Sequence, residues 1–379
     1  MITNDIRPGP PMVGTGHGQA AQEAACASAP DDGSAAAAPI TVRRRIADDF
    51  AAWQALCLER ADSHFFHRAE WPDLLSRTLG YHDESLVALA QGRLVGVLPL
   101  MSVRGLLGAR HLCSLPFCAY GGPLAQTEAI AQALIEAACE RARELGAGHL
   151  ELRGERRHCP QAPVQSLYST FRAPIPDELD SMMGIPQKRR NVVRKAVSLG
   201  LHADVNRDAD RFFEQYAENA HAHGTPALGR RFFHELLAAF PDSADVLTVR
   251  DAQGQDLSAI LNFYHRGEVL AYFAGEVLAA RQTNANDFKY WSLMRHARDR
   301  GCTRFDFGRS KAGTGSFKFK KLWGFEPSPL AYEFPWLPGG EVPQTNPLNP
   351  KYRLAIQVWQ RLPRPIVDRI GPWVVAGLG

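Results

Sequence analysis

The sequence predicts an α+β fold in which two related domains follow one another. Three observations predict it. The stretch from Arg141 to Gly154 aligns with that from His296 to Arg309, matching Gly146 to Gly301, and each copy reads as a helix, a glycine stop and a strand. Upstream, the nearly continuous apolar run Arg93 to Val103 answers Asp256 to Tyr264, each after a β-rich stretch. A chain of 379 residues, 45% apolar and 22% charged, is long enough for two domains with substantial cores.

The elements follow in order. Residues 1–39 are rich in Ala, Gly, Pro and Ser without an apolar period, which predicts a disordered segment. The first domain is expected over residues 40–172, with an Ala-rich helix from Ala129 to Leu145, a left-handed cap at Gly146 and a strand from His149 to Arg153. The second is expected over 173–340. It opens on a short basic helix between Pro186 and Gly200 and repeats the helix and strand at Asn286–Arg300 and Arg304–Phe307. Residues 341–379 form a helical tail.

Bulk properties exclude several classes. A net charge of +3 is too small to attract polyanions through the field of the whole surface. The seven cysteines are odd in number and scattered, without the paired spacing of a structural zinc site, so no metal is expected and a reducing compartment is. No apolar run of 18 residues is present and no secretory signal precedes the chain's first domain, which makes a cytoplasmic protein the default. Gly308 and Gly313 have P-loop spacing, but Thr314-Gly315 follows where Lys and Ser/Thr are required. Arg143 to Gly148 matches the R-x-x-G-x-G pattern that holds the pyrophosphate of coenzyme A, yet it closes a helix instead of opening one.

Chemistry is expected between Arg304 and Gly324. Aromatics there alternate around Asp306, a glycine-rich loop carries Arg309 and Ser310, and Phe319-Lys320-Lys321 follows. Glycine lets backbone approach a ligand closely, and the cations suit an anion. The basic helix is a second candidate, because Lys188, Arg189 and Arg190 could meet phosphates while Val192, Val193, Ala196 and Val197 dock it.

These residues together resemble the FemAB-like acyltransferases, in the branch associated with PEP-CTERM/exosortase and exopolysaccharide loci. The resemblance runs from about Asp48 to the C-terminus. It is carried by Leu115-Pro116-Phe117, Tyr120-Gly121-Gly122-Pro123, Lys188-Arg189-Arg190-Asn191, Gly224-Thr225-Pro226, Asn286-Asp287-Phe288, Asp306-Phe307-Gly308-Arg309-Ser310, Phe319-Lys320 and Asn349-Pro350-Lys351-Tyr352. It implies two tandem GNAT-like domains, the second of the BioF2-like acetyltransferase type, and acyl or aminoacyl transfer to an amine of a cell-envelope or exopolysaccharide precursor. The donor it implies is acyl-CoA or aminoacyl-tRNA, with no bound cofactor. The acceptor is a small molecule or a lipid-linked saccharide or peptide. The chain has Ser316-Phe317 where the family pattern has Pro-Tyr, and no extended heptad arm.

Acyl transfer needs a place for the developing oxyanion and a way to orient the amine. Lys320 is the candidate for stabilising the oxyanion or a donor phosphate, and Asp306 for orienting or deprotonating the amine. Substrate binding is assigned to Arg309, Ser310, Phe319, Asn286, Tyr120, Lys188, Arg189 and Arg190. A catalytically idle GNAT-fold binding module in exopolysaccharide assembly is the alternative, distinguished by binding without turnover. DNA is not an expected partner, for want of any readout motif, and tRNA enters only as one of the two donors the resemblance implies. The tail from Lys351 to Gly379 mixes Trp, Ile and Arg, so it could pack across the first domain or attach peripherally to the inner membrane.

Overall fold

The computed structural model describes residues 39–106, 108–343 and 350–378, with side chains at 281 and 350–354 left aside. The segment expected to be disordered lies, but for Pro39, outside the described residues, as does Asn349.

The first half runs β1 (Ile40–Arg44), α1 (Phe50–Glu59), α2 (Glu70–Leu79), β2 (His82–Asp83), β3 (Leu86–Ala90), β4 (Arg93–Leu98), β5 (Met101–Arg104), β6 (Arg110–Cys113), β7 (Leu124–Ala125), α3 (Glu128–Glu144), β8 (Leu150–Gly154) and β9 (Val164–Gln165). The run expected as one strand from Arg93 is split at Pro99, which has no N–H to give a ladder. β4 therefore stays with β1, β3 and β7, while β5 joins β2, β6 and β8. Helix α3 is capped by Thr127, whose hydroxyl accepts from Ile130 N, and the chain leaves it through Gly146 at φ 61°. Its buried stripe, Ile130, Leu134, Ile135, Ala138 and Ala142, lies close to the sheet because Gly96 has no side chain: a Cβ there would stand 2.6 Å from Ile130 Cγ2.

The second half repeats the plan with β10 (Tyr168–Pro174), α4 (Gln187–Ser198), β11 (His202–Asn206), α5 (Ala209–Ala222), α6 (Arg230–Ala239), β12 (Ala244–Arg250), β13 (Asp256–His265), β14 (Glu268–Glu276), α7 (Ala285–Asp299), β15 (Arg304–Asp306), β16 (Ser310–Lys311), α8 (Gly315–Leu322), β17 (Pro327–Pro329) and β18 (Ala331–Trp336). Helices α9 (Pro350–Arg361) and α10 (Arg364–Ala376) close the chain. As in the first copy, a helix ends at a left-handed glycine, Gly301 at φ 83°, and leads into a strand parallel to its neighbour: β14 with β15 here, β6 with β8 there.

The second half gives a strand to the first. β10 lies in the second sheet, antiparallel to β15, whereas β18, from the far end of the second half, inserts between β8 and β9 of the first. The boundary expected at 172/173 thus falls inside a strand that already belongs to the second sheet. A shared aromatic core joins the halves as well, with Phe65 stacked on Phe263 at 4.4 Å and packed on Phe240 at 4.8 Å. Alternation along β13 sorts the helices, since Ala259, Leu261 and Phe263 face α5, α6 and the first half, while Ile260 and Tyr264 face α4 and α7.

Residues 39–166 expressed alone would lack β18, the strand between β8 and β9, while 167–343 would keep its own sheet but expose this core and leave β18 without its partners. Each is expected to show no cooperative melt by circular dichroism. A cooperatively unfolding isolated half would contradict the dependence of each half on the donated strand and the shared core.

Candidate functional site

Strands β14 and β15 pair only over Glu268–Arg304, Val269–Phe305 and Leu270–Asp306, and then part. Two local features open the gap. A bulge in β14 leaves Tyr272 without an opposite residue in β13, where Leu261 faces Phe273 and Asn262 faces Ala271. Gly308 turns the other strand away at φ 67°. The result is a cleft of about 410 Å³ between Tyr272 and Phe273 on one side and Phe307, Gly308, Arg309 and Ser310 on the other. Lys320 and Ser316 of α8 border it, as do Phe117 from the first half, Thr225 and Pro226 after α5, and Val375 of α10.

Lys320 is the buried side chain of α8, a short helix capped by Thr314. Its Nζ donates to Gly308 O at 2.8 Å and Arg309 O at 3.1 Å, leaving further hydrogen-bonding capacity. Burial pushes its pKa down to about 7, with Arg309 acting in the same direction and Asp306 opposing. A buried lysine poised near neutrality in a cleft is a functional-site signal.

Arg309 lies over the Tyr168 ring at 4.7 Å and donates from Nη1 to Tyr332 Oη at 2.9 Å. Tyr332 in turn donates to Ala119 O at 3.0 Å, which fixes the ring. Among the described residues no carboxylate pairs with this guanidinium, although burial costs a cation less when it is paired. The buried Ser310 Oγ beside it has no hydrogen-bond partner among the described residues. Arg309 and Ser310 both border the cleft, and Arg309 with Tyr168 and Tyr332 also lines a neighbouring cavity of about 280 Å³; an unpaired cation and an unpartnered hydroxyl suit an anionic or carbonyl oxygen from a ligand.

Asp306 has a different place from the one expected. It is fully buried, beneath the cleft and not lining it. Its Oδ1 accepts from Gly308 N at 2.7 Å and Thr170 Oγ1 at 3.0 Å, and its Oδ2 from Tyr120 Oη at 2.6 Å and Arg172 Nη2 at 3.2 Å. With its lone pairs engaged by four donors, it holds Gly308 and both halves together and has no direct reach to an amine. Tyr120 accordingly bridges the halves, and its ring lines a separate cavity.

The remaining expected substrate residues lie away from the cleft. Phe319 is half-buried against Tyr290 and Trp323, at 5.5 and 6.4 Å between ring centres. Asn286 sits in the first turn of α7, behind an N-cap at Asn284 in the left-handed region. Lys188 is exposed, Arg189 pairs with Asp287 at 3.0 Å, and Arg190 donates to Met183 Sδ. The reason is packing: Val193 and Ala196 seat α4 beside α7, on the face of the second sheet that points away from the first half.

Sequence reading missed Tyr168, Tyr272 and Tyr332. Tyr332 reaches the site only through the donated β18, which local sequence does not announce. Leu115 and Phe117, both at φ 63°, were noticed only as motif residues; Tyr272 Oη donates to Phe117 O, so the strained turn is tied to the cleft wall.

The cavity lined by Tyr120 holds about 290 Å³ between the first half and the β13–β14 hairpin. Its charges are matched: Arg172 pairs with Glu155 and Glu268, both at 2.8 Å, and His64 meets Glu155 at 3.3 Å. Burial raises Glu268 to about 7, while the hydrogen bond from His64 and the nearby Arg172 outweigh burial to hold Glu155 down to about 2. Burial also pushes the Cys57 thiol up to about 12 and Cys113 and Cys118 well above their usual range, so none of these is a ready thiolate nucleophile.

Residues 185–321 match the model of an acetyltransferase (GNAT) domain. The match takes in α4 through α8, and hence the parted strands, Arg309 and Lys320. The tandem GNAT-like fold agrees with solved structures. The crystal structure of FemX superposes with a TM-score of 0.59 at 14% identity, over 78% of this chain and 97% of that one. The C-terminal domain of a putative lysylphosphatidylglycerol synthetase from Agrobacterium fabrum gives 0.53 at 16% identity, over 76% and 92%. A tandem GNAT protein from the clavulanic acid biosynthesis pathway gives 0.50 at 11%, over 78% and 98%. At such identities the likeness concerns the fold. No curated protein matches the sequence. Between β14 and α7 the GNAT domain has Val277 to Asn284, which contains no glycine and folds partly as a 3₁₀ turn, in place of a glycine-rich pyrophosphate loop.

Asp306→Ala should leave the Gly308 amide and the Thr170 and Tyr120 hydroxyls without their buried acceptor, while Arg172 keeps Glu155 and Glu268. A loss of roughly 3 kcal/mol is expected in urea denaturation, typical of removing one partner from a buried pair. A variant within about 0.5 kcal/mol of the parent, the range of surface substitutions, would show that this carboxylate does not organise the site.

Proposed function

We propose that the chain transfers an acyl or aminoacyl group from an activated ester or thioester to an amine of a cell-envelope or exopolysaccharide precursor. The observation that carries this reading is Lys320, buried at a pKa near 7 and held by two backbone carbonyls beside the unpaired Arg309 and the unpartnered Ser310 Oγ. The unprotonated amine attacks the acyl carbonyl carbon. A C–N bond forms as the C–O or C–S bond to the donor breaks, and the proton released by the amine leaves with the departing oxygen or sulfur.

Lys320, as the ammonium, stabilises the oxyanion of the tetrahedral intermediate. Arg309 and Ser310 bind an anionic part of a substrate. Asp306 is a positioning residue, acting through Gly308 and its carbonyl on Lys320. Direct attack fits the raised thiol pKa values, which leave no activated cysteine among the described residues for a covalent intermediate. The glycine-free β14–α7 connection favours an aminoacyl ester donor over acyl-CoA. The exopolysaccharide and PEP-CTERM setting rests on the motif resemblance.

A screen of aminoacyl-tRNAs against acyl-CoA thioesters, with mass spectrometry of the amine product, identifies the donor. With that donor, Lys320→Met should lower kcat about 100-fold or more, as for loss of an oxyanion donor. Because the active form carries the proton, kcat/KM should fall as pH rises through about 7. Lys320→Arg, which keeps its charge, should abolish that falling limb. Arg309→Gln should raise KM about tenfold, the cost of one charge-assisted hydrogen bond. Unchanged kinetics in both the Lys320 and Arg309 variants would exclude this site.

A further inference from the structure

Helix α10 has two faces of different character. Val367, Gly371 and Val375, four residues apart, are buried. Gly371 packs against Ala227, and Pro372 against Gly229, in the second half. At its end the helix is tied to the first half, where Tyr81 Oη donates to Ala376 O at 2.7 Å and Gly377 abuts Leu106. It therefore straps the halves together, and Val375 forms part of the cleft wall.

The opposite face is apolar and uncovered. Ile366, Ile370 and Trp373 follow helical spacing and are 46%, 37% and 71% exposed. Exposed Leu106, which abuts Gly377 and lines a depression with Trp373, and Leu378, next to Gly377 in the chain, lie at the end of this face. Arg361 and Arg369 are exposed beside it. Residues 350–378 contain five cationic side chains and a single carboxylate, Asp368, which is paired with Arg364 at 3.4 Å.

We propose that this face docks the protein on an anionic lipid surface, with α10 lying in the interface and the cleft opening beside it. Trp and aliphatic side chains flanked by arginine suit the boundary between headgroups and acyl chains. A second copy of the same face would bring like charges together, whereas anionic headgroups neutralise them. No helix among the described residues is long and apolar enough to cross a membrane, so the helix lies on the surface and does not span it.

The test is flotation of the full chain with vesicles of phosphatidylcholine alone or with phosphatidylglycerol. The protein should float with the mixed vesicles only, and high salt should release it. Arg369→Gln should weaken partitioning about fivefold, the share of one cation near an anionic surface. Trp373→Gln should weaken it further, with the melting temperature of both variants unchanged. Failure to float with the anionic vesicles overturns the proposal. So does unaltered flotation of both variants, or a wild-type dimer that Trp373→Gln dissociates without any vesicle binding. Flotation is read without turnover, so its failure is separate from failure of the acyl-transfer reading.

Discussion

The Asp306 carboxylate is the interaction on which the site depends. It lies at the end of β15, where the second sheet begins to part, and takes hydrogen bonds from Gly308 in its own strand, Thr170 and Arg172 in β10, and Tyr120 in the first half. A buried charge needs such compensation, and all four donors are in place only when β10 pairs with β15 and Tyr120 of the first half docks against them. The left-handed turn at Gly308 then presents the carbonyl that holds Lys320. The pairing of β10 with β15, the union of the halves and the position of the lysine are parts of one arrangement.

The two copies of the duplicated unit illustrate how different chemistry arises from one plan. After β8 the chain continues with Glu155, which meets Arg172 and His64, and the neighbouring cavity has its charges internally matched. After β15 it continues with Arg309 and Ser310, whose polar groups remain available for a ligand. Matched ion pairs describe a structural junction, whereas unmatched buried groups describe a binding site. A parallel strand pair after a glycine-stopped helix is common to both copies, so the local side chains decide which is which.

What was legible in the sequence was local. The α3 and α7 repeats were marked by glycine stops and helical spacing, and the glycine-rich segment with Lys320 was recognisable from its composition. The destination of β10 and β18 was not legible, since a strand carries no local record of which sheet it joins. For the same reason Tyr332 was missed, and Asp306 was expected at the reacting amine instead of beneath the cleft. Arg189 shows the converse: its charge suggested a phosphate, but α4 packs on the remote face and Asp287 takes the guanidinium. The bulge at Tyr272 depends on pairing with β13, and no single residue there foretells it.

Burial of an amine beneath two carbonyls is the physical core of the account, and the protonation of Lys320 reports it directly. Titration of lysine methylene resonances by NMR, with lysine labelled at Cε, should reveal one lysine changing charge near pH 7, absent from Lys320→Met and displaced in Asp306→Asn. If the resonance lost in Lys320→Met titrates near the ordinary value of 10.5, the proposed electrostatic arrangement is wrong; Lys289, which burial lowers to about 8, is distinguished by surviving that substitution.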